Sequence, residues 1–496
     1  MKKAILIILS LLVILSPLAI IATAIFAISP QFSETYSAEL NEKVDRLMSI
    51  EEDKIVVIGG SSVAFALDSA LMEKELGKPV VNFGLYAALG TKLMLDLSRD
   101  GIKEGDIVIL SPELDAQTLS LFFSTESTLN AVDDDKSLLL KIPSEHWLGL
   151  IGGAWRFATD KVYFSHVYEE KEDDKKEDDI YVASSFNEYG DIKSGLRPNN
   201  IIPGYFYDRQ KLIDLTPDIV DPEFLDYLNE YIAYCKSVGA TVYFNWCPMN
   251  SAGFADGTTN ETINAFSTYM QDNINCEFIG LKNDGYVSSI YDSIIDKAYF
   301  YDTNFHLNDS GVTLYTVNLI NNLYLTMGDL ESFCEVSIPE PPELPDAIIS
   351  YPYYDENEKY FTYELTLTGM VITGLTEEGK AQKTLTIPVG AEGFIVSEIG
   401  KHAFSDGACT RVIIPADSLV QSLRDGSFGN CNVVRLDILQ ANLPNGDKAI
   451  SPYSFSDTKS GFKIYVPDKQ IYMDDGTGYQ WGTVCPNRGQ IIVQLQ

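Results

Sequence analysis

Three residues of this chain have side chains suited to nucleophilic acyl transfer. Ser61 closes an apolar run, Ile55-Val56-Val57-Ile58-Gly59-Gly60-Ser61-Ser62. Asp302 and His306 share one segment far downstream, Tyr301-Asp302-Thr303-Asn304-Phe305-His306-Leu307-Asn308. A serine hydroxyl is a weak nucleophile until a hydrogen-bonded base takes its proton, and that base needs a third group to orient it. The chain holds four histidines, and only His306 has an Asp beside it at the foot of a helical pattern. His146 and His166 fall in a weakly patterned stretch that suits surface residues, and His402 falls in a repeat that suits packing or a turn. Two plainer readings compete. Gly-Gly-Ser is also an ordinary strand-to-helix turn, and His306 also suits a capping role on a loop.

Chemistry by these residues requires elements that bring position 61 next to position 306. The spacing predicts a strand over 54–58, a helix over 68–76 with Leu67, Leu71, Met72 and Leu76 on one face, and a strand over 79–83. A helix over 91–99 and a strand over 107–110 follow. Continuous apolar runs without alternation suit parallel strands covered on both faces. The alternation resumes at Asp221-Pro222-Glu223, an N-cap with a first-turn proline and acid. A stripe through Phe224, Leu228, Tyr231 and Cys235 leads to Gly239 at the C-terminal cap. Strands over 241–246 and 276–281 and helices over 261–271 and 310–325 complete the unit. Alternating strands and helices predict an α/β fold with a mostly parallel sheet. Ligands of such sheets collect at the strands' C-terminal edge, where Ser61 would stand.

The stretch 115–210 breaks this pattern as an insertion of about that extent. It contains the run from Glu169 to Asp179, with eight acids and three lysines, which suits a solvated loop better than a calcium site. A proline-rich break, Ile338-Pro339-Glu340-Pro341-Pro342-Glu343-Leu344-Pro345, marks a stiff linker over 336–350. Over 351–496 the texture changes to short strands and glycine turns. Ile387-Pro388 recurs as Ile414-Pro415 and Val466-Pro467, and Phe404, Phe428 and Phe455 recur between them. Each phenylalanine would stack on that of the next unit, building one core from successive repeats.

Lys2 and Lys3 precede 25 residues without a charge, Ala4 to Ile28. As a helix this run spans roughly 37 Å, against ~30 Å of hydrocarbon. It exceeds the apolar centre of a signal peptide, and an uncleaved anchor over 1–28 is expected in preference to one cleaved near Ala22, Ala24 or Ala27. The flanking lysines place the bulk of the chain outside the cytoplasm, with 29–50 as a stalk and 51–335 as the α/β domain. A net charge of −35 argues against nucleic acid as a partner. Seven scattered cysteines without CxxC spacing argue against structural zinc.

At Val56 to Ser62, Asn82-Phe83-Gly84 and Asp302 to Asn308, the chain resembles the SGNH (GDSL-like) hydrolase superfamily. It is most similar to the membrane-anchored branch that includes the D-alanyl transfer protein of teichoic-acid modification. That resemblance implies a flavodoxin-like three-layer sandwich over 53–330, with Ser61 as nucleophile and Ser62 as the competing choice. It also implies His306 as base and Asp302 as its orienter. The usual Asp stands three before His; here the interval is four, and Thr303 holds the usual place. Oxyanion donors would be the backbone of Ala87, with Gly84 or Gly90 as alternatives. After the third strand the family's Asn is absent from Ser111-Pro112-Glu113, and Asn245 is a candidate substitute. Residues 361–494 resemble BspA-type leucine-rich repeats at Ile399 to Phe404, Val412 to Pro415 and Gly426 to Cys431.

The function these features predict is an anchored extracytoplasmic serine esterase or O-acyltransferase. Its substrate would be the acyl groups of cell-envelope glycans or glycopolymers, with no metal or organic cofactor. A second reading is a non-catalytic surface protein whose repeats bind a protein or glycan. A third is an accessory subunit presenting substrate to a membrane acyltransferase.

Overall fold

Short buried β-branched runs recur in the first half of the chain, at 55–58, 80–81 and 108–109. In a computed structural model they form the centre of a parallel sheet. The structure describes residues 16–17, 20–167, 180–202, 205, 207, 210–280, 288–343, 353–440, 454–455, 457–467 and 491–494. The chain divides into two units, residues 1–200 with 207–344, and residues 201–206 with 345–496.

In the first unit β1 (Ile55–Gly59), β2 (Val80–Gly84), β3 (Ile107–Ser111), β4 (Thr241–Phe244) and β5 (Glu277–Phe278) pair in the order β2-β1-β3-β4-β5. Every pairing is parallel. This is an α/β unit with a parallel sheet, and its order is that of a flavodoxin-like core. The strands fall within a residue or two of the expected positions at β1, β2 and β3, while β4 and β5 are shorter than the predicted 241–246 and 276–281. Helices α1 (Leu40–Ser49), α2 (Ser61–Ala66), α3 (Ser69–Leu76) and α4 (Thr91–Ser98) surround the first half of the sheet. Then come α5 (Thr125–Ala131), α6 (Trp147–Val167), α7 (Pro222–Ser237), α8 (Asn260–Asn273) and α9 (Asp309–Thr326). The Asp221 side chain accepts from the Glu223 N–H at the start of α7, the cap its sequence predicts.

Two features position the site. Strand order reverses between β1 and β3, since β2 and β4 lie on opposite sides of that pair, so their C-terminal ends open a crevice. The turn after β1 is also very tight. A Cβ on Gly59 would approach the Ser111 carbonyl oxygen to 2.3 Å, and one on Gly84 would approach Val63 Cβ to 2.4 Å. Only glycine at these two places lets α2 start directly against the strand ends.

Three expectations need correction or restriction. The segment expected as a stalk over 29–50 is part of the domain: α1 buries Leu40, Val44 and Leu47, whose i, i+4, i+7 spacing makes one apolar helix face. The stretch 115–210, expected as an insertion, packs on the domain through α5 and α6, and residues 180–200 reach the candidate site. Residues 20–27 of the expected anchor are helical, but among the described residues no helix is long and apolar enough to cross a membrane. Residues 1–15, the acidic run 169–179 and linker residues 344–350 lie outside the described residues. Before them, Pro339 belongs to the first unit, where its carbonyl accepts from Tyr299 O–H at 3.2 Å.

In the second unit five short strands, Thr384–Thr386, Arg411–Ile414, Arg435–Ile438, Lys463–Val466 and Ile491–Gln494, pair in parallel and in chain order. Phe404 stacks on Phe428 at 5.0 Å between ring centroids, and Phe428 on Phe455 at 5.8 Å. A hairpin of Phe361–Leu365 and Met370–Leu375 precedes this ladder. The six cysteines among the described residues are free thiols.

Candidate active site

Ser61 is the first residue of α2, and the tight turn after β1 places its hydroxyl in the crevice. His306 and Asp302 arrive on the loop before α9. Two backbone contacts close that loop: Tyr301 N–H donates to the His306 carbonyl at 2.8 Å, and Asn308 N–H to the Tyr299 carbonyl at 2.9 Å. Asn308 also caps α9, its side chain accepting from Gly311 N–H at 3.0 Å. Thr303 Oγ1 accepts from the N–H groups of Phe305 and His306 at 3.2 and 3.0 Å. Thr303 thus shapes the loop rather than facing the imidazole, and Asp302, four residues before His306, is the carboxylate that reaches the ring.

The three groups form one hydrogen-bonded chain. Ser61 Oγ lies 2.9 Å from His306 Nε2, and His306 Nδ1 lies 2.8 Å from Asp302 Oδ1. Phe65, on the last turn of α2, stacks on the imidazole with centroids 4.0 Å apart and planes 9° apart, which fixes the ring's tilt. Ser61 and His306 are each only 6% exposed. Burial pushes the Asp302 carboxyl upward, but the facing His306 and hydrogen bonds from His306 and Tyr181 pull harder, leaving it below the usual carboxylate range. A carboxylate held ionised in this way keeps Nδ1 protonated and Nε2 free to accept.

Neighbouring residues missed by sequence reasoning complete the site. Tyr181 donates its O–H to Asp302 Oδ2 and lies 3.2 Å from His306 Nδ1. Arg197 is buried, and its guanidinium donates to the carbonyls of Phe65 at 2.7 Å and Ile192 at 3.1 Å. Asp191 accepts from Ser69 Oγ and Asn82 Nδ2 at 2.7 and 2.8 Å, fastening the same return segment to β2 and α3. No local pattern in 180–200 signals these roles, because they exist only once the segment folds back across α2.

The most consequential of these residues is Glu113, two positions past β3. Its Oε1 accepts from Ser61 Oγ at 2.8 Å and from Ser62 N–H at 2.7 Å. It is buried and sits on the other side of the same crevice. Glu113 stands in the Ser111-Pro112-Glu113 segment that lacks an asparagine, so the available signal was the segment and not the residue. Ser61 has a single proton to give. Donated to Nε2 it activates the oxygen; donated to Glu113 it leaves the oxygen unactivated. The Ser62 N–H, which could receive an acyl oxyanion beside the nucleophile, is occupied by the same carboxylate.

The expected oxyanion donors fare differently. Gly84 N–H is committed to Asn82 Oδ1 at 3.1 Å, and Gly84 serves close packing instead. Asn245 turns away from the crevice, its amide donating to Tyr315 Oη at 2.8 Å and to the Trp246 carbonyl at 3.2 Å. Neither is available as a donor in this conformation. Ala87 opens a short turn, Ala87–Leu89, tied through its carbonyl to Gln117 Nε2 at 3.0 Å and so to the Glu113 loop. The competing nucleophile Ser62 is fully buried, and its hydroxyl has no hydrogen-bond partner among the described residues. His146 packs on Phe123 with centroids 3.9 Å apart, far along the chain from the triad loop, and His402 belongs to the second unit.

Among the described residues no group of His, Cys, Asp and Glu is arranged to hold a metal ion. The arrangement is suited to acyl transfer: a serine, a base and an orienter in line at the carboxyl edge of a parallel sheet. No protein-family model matches the chain, and no curated protein matches its sequence.

Proposed function

We propose that this chain is an extracytoplasmic serine esterase or O-acyltransferase of the SGNH type, anchored by its N-terminal apolar run. It would act on acyl groups of cell-envelope glycans or glycopolymers, with no organic cofactor. The observation that carries this reading is the hydrogen-bonded chain Ser61–His306–Asp302. Ser61 Oγ attacks the acyl carbonyl carbon while its proton passes to His306 Nε2. The alkoxide leaving group departs with that proton, and an acyl-Ser61 ester remains. Water or an acceptor hydroxyl then attacks the ester, giving its proton to Nε2, and Ser61 is restored. Hydrolysis and transfer differ only in which oxygen arrives. The C-terminal ladder fits BspA-type leucine-rich repeats, and a role in holding the chain or its substrate at the cell surface follows from that assignment.

One observation favours a second reading, a non-catalytic surface interaction protein. Glu113 holds both the Ser61 hydroxyl and the Ser62 N–H, where a working hydrolase needs them for substrate. Covalent labelling with a fluorophosphonate separates the two. Labelling of the parent that is lost in Ser61→Ala and in His306→Ala supports an activated serine. A well-folded parent that resists the probe sinks the enzyme reading and leaves the scaffold.

A further inference from the structure

Helix α6 carries apolar residues on two faces, with Arg156 and Asp160 on a charged edge between them, whereas a solvent-facing helix needs only one apolar face. Its inner face is buried through Leu150, Phe157, Ala158 and the Lys161 stem. Its outer face carries Leu148, Ile151, Trp155 and Val162, 83%, 66%, 59% and 43% exposed. Spacings of three, four and seven residues place all four along one stripe. Exposed Tyr163 flanks it. Contiguous exposed apolar surface of this kind marks an interface.

The chain itself indicates what covers this stripe. The uncharged run Ala4 to Ile28 ends three residues before Gln31, and residues 31 and 32 are fixed to α6. Gln31 N–H donates to Asp133 Oδ2 at 2.7 Å, and the other oxygen of Asp133 accepts from Lys161 Nζ at 2.6 Å. Phe32 stacks on Phe157 at 5.8 Å and meets Phe164 edge-on at 5.6 Å. Ala24 and Ile25 are buried in the same core cluster, while Ile20 and Phe26 remain exposed. No stalk therefore separates the apolar run from α6. Trp and Tyr on its open side are the residue types that settle at a membrane–water interface.

We propose that the outer face of α6 lies on the lipid surface next to the N-terminal anchor, seating the domain directly on the bilayer. This rests on the anchor reading of the proposed function. It places the triad close to the leaflet, because Tyr36, four residues after Phe32, packs on Phe65, which stacks on His306. Four residues span at most about 14 Å. The acyl substrate is accordingly one presented near the lipid headgroups.

The full chain, reconstituted into vesicles of phosphatidylcholine and phosphatidylglycerol, tests this. Replacing the phosphatidylcholine by a form brominated high on its acyl chains quenches indoles that touch the interface. Of the four tryptophans, Trp147 and Trp155 are on α6 and Trp246 is fully buried. The parent is expected to lose emission on bromination, and Trp147→Phe/Trp155→Phe to lose that response. Ile151→Glu, on the outer stripe, is expected to weaken the quenching while the chain still floats with the vesicles. A chain that floats with unquenched α6 tryptophans overturns the proposal and leaves the anchor standing; a chain that stays in solution overturns both. Emission shielded without lipid and recovered on dilution assigns the stripe to a second copy, which also overturns it.

Discussion

Each unit of this protein contains a five-stranded parallel sheet, but among the described residues the serine, histidine and aspartate gathered at one place belong to the first. In the second unit the strands succeed one another in chain order, Thr384–Thr386 to Ile491–Gln494, and the phenylalanines stack down the middle. Among the described residues its core is mainly apolar, and the buried Asp437 on the middle strand is met by Arg411 and Arg435. In the first unit the order β2-β1-β3-β4-β5 reverses once. The reversal parts the connections that leave β1 and β3, and residues just past those two strands, Ser61 and Glu113, line the gap. Similar strands thus form a ladder where they pair in chain order and a crevice where the order switches. Parallel pairing alone does not confer a site; topology does.

The difference between the two units is greatest at Ser61. Ser61→Ala or His306→Ala is expected to lower fluorophosphonate labelling by about 10⁴–10⁶-fold, with unfolding midpoints unchanged in both units. A variant that labels normally removes the triad reading. The converse change is Phe428→Ala, which empties the middle of the ring stack. It is expected to destabilise the second unit by about 3–5 kcal/mol, read as an earlier denaturant transition, while Ser61 labelling is retained. Loss of labelling there would show that the two units depend on each other.

A sharper test concerns Glu113. Its carboxylate faces the position where negative charge develops, and two like charges about 4 Å apart at an effective dielectric near 20 oppose each other by about 4 kcal/mol. Glu113→Gln keeps an acceptor for Ser62 N–H and adds a donor amide, so labelling is expected to accelerate by at least about tenfold. A slower variant would make Glu113 a required partner of Ser61. The smallest effect is a pH dependence. The folded-state pKa of Asp302 lies below its ordinary value, so its ionised form contributes stability above the unfolded pKa. That contribution is lost as pH falls through the folded value, below about pH 4. Urea midpoints of parent and Asp302→Asn should differ at neutral pH and converge in acid; a constant difference would deny the linkage.

The parts legible in the sequence were those whose chemistry is local. Ile55 to Ile58 cannot be solvated as a loop, Gly59 and Gly60 announce a tight turn, and Asp221-Pro222-Glu223 caps a helix whose stripe is complete. Ser61, Asp302 and His306 stood out because few residue types can do their work. The α1 face of Leu40, Val44 and Leu47 was equally legible in its spacing, but the apolar run before it drew that segment into an expected stalk. Gly84 and Asn245 had suitable types at strand ends, and their hydrogen bonds were spent elsewhere, on Asn82 and Tyr315. Tyr181 and Arg197 had no local signal, since each acts on a residue more than a hundred positions away.

Local order along the chain accounts for the alternation of strands and helices, the residue types around Ser61 and His306 and the spacing of the phenylalanines, because these depend on neighbours within a few residues. Tertiary structure alone decided which serine meets His306, that Glu113 shares its hydroxyl, and that residues 180–200 close behind the loop. Those outcomes depend on strand order and on where a long connection returns, and both are settled by packing of the whole unit rather than by any local preference.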